Sequence, residues 1–321
     1  MFRKHLFVPL FVLFAVSMTS AQTPQAPQPP CVPGISFWNL LESVRVGYVD
    51  GRLRIDRLYA PCLPNPARQS TSAYAYDPDV GGSLTTVVKT ADGKELNTYV
   101  WYGERLSSLW ELSRYKVLGG HQSTQQLAAG NYVLEFAAND KPFYRFPFVI
   151  VEGKNEDPYQ PAGPRYYIEG PWNEYGNIFY QRNDPQSVLK FTTWVQDQSG
   201  RPKTAYTPYE LKLINLKDGK VVAEDSGSFR LEPRWQKADL LLHPAGDKAA
   251  YLRAGDFLST DGRYAFRFTL DGKPYGNYPF EVKGGRIQFQ GRQIREKTDP
   301  MIVIVDYLSG GRYTSWWIRK E

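Results

Sequence analysis

Two tandem antiparallel β-sandwich domains followed by a C-terminal β-hairpin, an all-β protein, is the fold this sequence predicts, and three observations carry the prediction. The segment GNYVLEFAANDKPFYRFPFVI at 130–150 returns without a gap as GRYAFRFTLDGKPYGNYPFEV at 262–282. In both copies apolar residues alternate with polar or small ones at a period of two, as in a strand with one wet face. The pairs Asn139-Asp140 and Asp271-Gly272 divide each copy at its centre, and these residue types tolerate the φ > 0 that a tight hairpin needs.

The elements follow in chain order. Arg3, Lys4 and His5 precede an apolar run over 6–16 and the small residues Thr19-Ser20-Ala21, the layout of a secretory signal peptide over 1–21. That run is shorter than the ~20 residues of a membrane helix. The exported chain is therefore expected to lack a transmembrane span, and the absence of Cys at the end of the run argues against a lipid anchor. Residues 22–30 (QTPQAPQPP) read as an extended Pro-rich leader. Cys31 and Cys62 are the only cysteines, and an oxidising compartment favours their pairing over two buried thiols. Such a bridge would remove ~3–4 kcal/mol of unfolded-state freedom.

The first sandwich is expected over 31–152, with a hairpin turning at Asp50-Gly51 and strands at 84–90 and 95–102 around Asp92-Gly93. A short helix at 104–116 is the one helix the pattern allows. GKNEDPYQPAGP at 153–164 reads as a linker. The second sandwich is expected over 165–285, with strands at 187–196, 209–216 and 220–224. In 286–321, Met301–Tyr307 is apolar on both faces and 312–318 answers it, so this hairpin should dock on a domain. Pro147 and Pro279 cannot donate to a ladder and belong at a sheet edge or end.

More than the hairpin repeats. Val87-Val88 runs into Asp92-Gly93-Lys94 as Leu213-Ile214 runs into Asp218-Gly219-Lys220, and Arg105-Leu106 and Trp110 match Arg230-Leu231 and Trp235. A period above a hundred residues excludes a solenoid and implies two self-sufficient domains.

Gly-x-Tyr opening a strand, preceded in the second copy by Asp261, resembles the tyrosine corner of immunoglobulin-like and fibronectin-III-like sandwich modules of exported proteins. The resemblance implies that the hydroxyls of Tyr132 and Tyr264 bond back to upstream backbone. Leu134 and Phe266 stand where an antibody domain has its cysteine, so the inter-sheet disulfide is absent. A superfold of this kind brings no active site with it.

The formal charge is +6, or +4 once Arg3 and Lys4 are removed, and no run of five like charges occurs. Nucleic acid is therefore not an expected partner. The absence of an Asn-x-Ser/Thr acceptor leans toward a bacterial source. His121 and His243 follow the duplicated Trp at similar distances, but one imidazole per domain cannot furnish a metal's ligand set, so no metal or cofactor is expected. G-x-S-x-G, Walker and G-x-G-x-x-G patterns are missing. Glu169, Glu174 and Asp184 are the candidate carboxylates for a carbohydrate-active hydrolase. The densest aromatic stretch, 164–180, offers Trp172, Tyr175 and Tyr180 as a ligand or partner surface, or else packs in the core or on an inter-domain seam.

The expected function is a non-catalytic exported protein acting by binding or assembly in the periplasm, at the cell surface or outside the cell. Its partner would be a protein or an envelope polysaccharide; a glycan-binding module is the first alternative and a hydrolase the second.

Overall fold

The computed structural model describes residues 33–64, 74–76, 82–106, 109–118, 126–156, 158–159, 162–181, 184–199, 206–288 and 313–321. Val32–Glu321 forms one compact unit. The expected signal peptide at 1–21, the expected Pro-rich leader at 22–30, Cys31, His121 and Met301–Tyr307 lie outside the described residues.

Strands dominate, in several sheets. The first half of the chain carries helix α1 (Phe37–Ser43) and strands β1 (Val44–Val46), β2 (Leu53–Ile55), β3 (Leu58–Ala60), β4 (Tyr74–Tyr76), β5 (Leu84–Thr90), β6 (Glu95–Leu106), β7 (Leu109–Leu118), β8 (Gly130–Ala138), β9 (Lys141–Gly153) and β10 (Arg165–Glu169). β1 and β2 form a two-stranded hairpin around Gly51, and the others form an eight-stranded sheet in the order β10-β9-β8-β5-β6-β7-β3 with β4 beside β6. The second half carries α2 (Pro171–Glu174), β11 (Tyr175–Gln181), β12 (Lys190–Val195), β13 (Thr207–Asn215), β14 (Val221–Phe229), β15 (Gln236–Leu241), β16 (His243–Pro244), α3 (Ala254–Leu258), β17 (Gly262–Leu270), β18 (Lys273–Lys283), β19 (Arg286–Ile287) and β20 (Tyr313–Arg319). These strands make a four-stranded sheet, β15-β12-β11-β20, and a six-stranded sheet, β16-β14-β13-β17-β18-β19.

The last two sheets face each other as a sandwich. Phe191 of β12 stacks on Phe266 of β17 with ring centroids 4.4 Å apart, and the hydroxyls of Thr193 and Tyr278 share a 2.8 Å hydrogen bond across the core.

The repeated hairpins adopt the expected geometry. Asn139 and Asp140, like Asp271 and Gly272, have positive φ at both turn positions, the condition for a two-residue hairpin that follows the strand twist. The Tyr132 hydroxyl donates to the Ala128 carbonyl at 2.8 Å and that of Tyr264 to Thr260 at 3.1 Å. Pro147 and Pro279 fall on stretches of β9 and β18 beyond the reach of the paired segments of β10 and β19.

The pairing corrects the match upstream. Val88 lies opposite Leu134, and Leu213 lies opposite Phe266. The counterpart of Val88 is thus Leu213, one residue earlier than the match to Ile214, and the extra residue sits in the turn, where Thr90 bonds Lys94 but Asn215 bonds Lys220. A one-residue slip would turn the buried face outward, so burial sets the register. The match at Trp110 fails as a strand equivalence. Trp110 lies on β7 beside β6, whereas Trp235 precedes β15, which pairs with β12 in the other sheet.

Three further expectations are corrected. In the segment 104–116 the described residues are not helical but belong to the paired strands β6 and β7, because pairing of Trp110 and Leu112 into the buried face overrides helix propensity. Arg165–Glu169 does not open the second sandwich; it pairs with Val149–Gly153, so the expected linker 153–164 runs between two strands of one sheet. Among the described residues the first half does not form a second complete sandwich. Its sheet is covered by Phe37, Leu40 and Leu41 of α1, by Val44, Leu53 and Ile55 of the small hairpin, and by Trp172, Tyr175, Trp194 and Trp317 from the second half. A two-stranded hairpin is too small to shield an eight-stranded sheet, so the rings of the second half complete the core.

β20 closes this arrangement. It pairs with β11 from Tyr175 to Gln181, sending Trp317 into the first core and Ile318 into the second.

Candidate functional site

The four-stranded sheet lies between the two cores and alternates strictly. Ile178, Phe191, Val195 and Ile318 face the sandwich interior. Tyr175, Trp194 and Trp317 face the first half. On that same face, by the period of two, lie Asn177 and Phe179 of β11, Lys190 and Thr192 of β12, Lys237 and Asp239 of β15 and Ser315 of β20. Asn177 stands opposite both Trp317 and Thr192, and Phe179 opposite both Ser315 and Lys190. Along this face the cover from the first half ends: Tyr175, Asn177 and Trp317 are buried, while Phe179, Lys190 and Ser315 are partly exposed.

A cleft of about 480 Å³ opens at that boundary, within the range of small-ligand sites. Trp38, Asn39 and Glu42 of α1 form one wall, joined by Tyr59 of β3, and Phe179 and Ser315 form the sheet side. Helix α1 is placed by local sequence: Ser36 caps it by accepting from the Asn39 amide at 3.3 Å, and Phe37, Leu40 and Leu41 bury one face, leaving Trp38, Asn39 and Glu42 toward the cleft. The wall is internally bonded. The Asn39 carboxamide oxygen accepts from the Tyr59 amide at 2.7 Å, and the Ser36 amide donates to the Tyr59 carbonyl at 2.8 Å.

Charge at the rim is paired across the two halves. The Lys237 ammonium lies 5.0 Å from the centre of the Trp38 ring, 3.2 Å from Glu42 and 3.4 Å from Asp239. Burial opposes its charge, but Asp239 and Glu42 outweigh that and hold its pKa above the ordinary lysine value. The ammonium of Lys190 lies 6.0 Å from the Phe179 ring centre. Behind Ser315, the buried Asn177 donates to its hydroxyl at 2.7 Å, while the Asn177 carboxamide oxygen has no donor among the described residues.

A second pocket, about 350 Å³, lies on the six-stranded sheet between Glu210, Lys212, Asp225 and His243. Its Tyr209–Asp225 pair is linked at 3.1 Å. Burial raises Asp225 above the usual carboxylate range and, with the Asp225 charge, pushes Tyr209 up to about 12.

The residues singled out in the sequence fall elsewhere. Trp172 is 1% exposed and Tyr175 3% exposed; the Trp172 indole donates to the Leu41 carbonyl at 2.7 Å and packs edge-on against Phe146. These two rings are seam, not ligand surface, because the first sheet needs them as cover. Tyr180 is half-buried against the second core. Glu169 accepts from the Gln198 carboxamide at 2.8 Å, Asp184 from the Gln186 amide at 3.0 Å, and Glu174 offers its backbone carbonyl to Lys320. His243 contacts the Ala250 carbonyl through Nδ1 at 2.8 Å. Among the described residues no group of three His, Cys, Asp or Glu is placed to hold a metal, and no helix is long and apolar enough to cross a membrane. Cys62 pairs by backbone with Gly34, and its expected partner Cys31 lies outside the described residues.

Trp38, Asn39, Glu42, Tyr59 and Ser315 were not among the sequence candidates, and Phe179 belongs to the aromatic stretch 164–180 without being one of the three rings singled out from it. For α1 a signal existed: Ser36 as cap and Phe37, Leu40 and Leu41 at helical spacing put Trp38 on the wet face, where a large aromatic is unusual. Nothing in the sequence linked α1 to β11 and β20.

No protein-family model matches the chain, and no curated protein or solved structure matches it either.

Proposed function

We propose that this is an exported, non-catalytic binding protein of the cell envelope or extracellular space. In this reading its halves derive from one duplicated immunoglobulin-like module and hold a ligand between them. The observation that carries the proposal is the cleft beside α1, where three partly exposed rings, Trp38, Tyr59 and Phe179, meet a polar rim contributed by both halves. Flat rings with polar edges suit a sugar face or a partner side chain. The signal peptide directs export, and Cys31 bridges Cys62 once the chain reaches an oxidising compartment.

The test is retention of the mature protein on the polysaccharide fraction of its own envelope. Phe179→Ala and Tyr59→Ala should each weaken retention by more than their effect on the melting temperature explains, since both rings are partly exposed. Retention unchanged in both variants removes the cleft from the reading. Non-reduced peptide mapping should recover a Cys31–Cys62 linkage, and two alkylatable thiols would refute the bridge.

A further inference from the structure

We infer that the cleft takes a glycan of carboxylated pyranose units, with a sugar face on Phe179 and a sugar carboxylate on the Lys190 ammonium. The inference rests on the binding reading above and names the ligand class of that same site. Three observations carry it.

The first is the charge left over beside Phe179, the ring that lines the sheet side of the cleft. Lys237 is neutralised within the protein by Glu42 and Asp239. Lys190, on the same sheet face, has no carboxylate within salt-bridge reach among the described residues, and its ammonium lies 6.0 Å from the centre of the Phe179 ring. At that separation the attraction between cation and ring is weak. A carboxylate delivered beside the ring gives Lys190 a charge-assisted partner that the described residues do not supply.

The second is the ring itself. Phe179 is partly exposed and flanked by Ser315 and Lys190 in register, so an apolar face is bordered on one side by a hydroxyl and on the other by a cation. The C–H face of a pyranose covers such a ring while its hydroxyls and carboxylate project to the sides.

The third separates a glycan from an acidic peptide. An extended peptide would seek unpaired backbone groups along the wall. The amide and carbonyl of Tyr59 are already taken by Asn39 and Ser36, and Tyr175–Gln181 and Tyr313–Arg319 are paired with each other. Stacking of a sugar ring requires none of these groups.

The experiment is calorimetric titration of the mature protein with a short oligogalacturonate and with its fully methyl-esterified form, which keeps the rings and removes the charge. The acid should bind about tenfold more tightly than the ester, as a charge-assisted contact warrants, and the preference should shrink with added salt. Lys190→Gln should abolish the preference while leaving ester binding unchanged, and Phe179→Ala should weaken both ligands. Equal binding of acid and ester, or a preference that survives Lys190→Gln, overturns the carboxylate assignment and leaves a neutral glycan site standing. No binding of either sugar, with envelope retention still sensitive to Phe179→Ala, overturns the glycan assignment and keeps the cleft. Sugar binding indifferent to both substitutions overturns the site altogether.

Discussion

The hairpins β8–β9 and β17–β18 are close counterparts in sequence, turn geometry and tyrosine bond, yet the sheets they belong to are covered by different means. In the second half a four-stranded sheet supplies the opposite layer, and Phe191 meets Phe266 directly. In the first half the opposite layer is a helix, a three-residue-stranded hairpin and four rings borrowed from the second half. Phe37 of α1 shows the consequence in one residue: its ring centre lies 6.2 Å from that of Phe146 in the first sheet, 5.7 Å from that of Tyr175 of β11 and 4.8 Å from that of Trp317 of β20. A repeated strand pattern therefore does not guarantee a repeated domain. The hairpin can recur whole while its cover comes from whatever apolar surface lies nearby.

The comparison breaks most sharply at the seam. Trp317→Ala should cost ~3–5 kcal/mol, as loss of a buried aromatic does, and should destabilise both halves together, because its strand also carries Ile318 into the second core. Differential scanning calorimetry should give one transition, lowered as a whole. Two transitions with one unmoved would mean that the halves are self-sufficient, as the repeat alone implies.

A smaller effect tests what the halves share. Tyr132→Phe and Tyr264→Phe each remove one hydroxyl bond to a carbonyl four residues upstream. Each should cost ~1 kcal/mol in denaturant unfolding, and by similar amounts. A loss confined to one of the two would make the correspondence of the corners superficial.

The smallest effect lies in pH, and its sign differs between the halves. Glu135 is penalised by burial, but hydrogen bonds from Lys89 at 2.9 Å and Arg145 at 2.7 Å outweigh that and hold its pKa below the ordinary 4.5. A lowered carboxylate stabilises the fold above the ordinary value and loses that contribution as pH falls through the folded one. The melting-temperature gap between parent and Glu135→Gln should therefore close on acidification. Asp225 is raised, chiefly by burial, so its ionisation destabilises as pH rises from the ordinary 3.8 through the raised value. Asp225→Asn should gain on the parent over that interval, and gaps moving in the same direction for both variants would contradict the assignment.

Much of the local structure was legible. Alternation located most long strands, Asp50-Gly51, Asn139-Asp140 and Asp271-Gly272 marked their turns, and Tyr132 and Tyr264 pointed to their own hydrogen bonds. Each of these rests on a few consecutive residues whose backbone preferences do not depend on distant partners. The cleft was not legible. Its walls come from α1, β3, β11 and β20, and the pattern that makes Phe179 and Ser315 neighbours is a strand pairing across more than a hundred residues.

By itself the sequence determined strand content, hairpin turns and the hydrogen bonds of Tyr132 and Tyr264 to upstream backbone, because period, turn chemistry and hydrophobicity act locally. Only the tertiary structure decided that the described residues of 104–116 are extended, that Arg165–Glu169 belongs to the first sheet and that Trp172 and Tyr175 are core. These outcomes depend on how much apolar surface each sheet leaves uncovered and which element lies close enough to cover it. That quantity exists only once the strands are assembled.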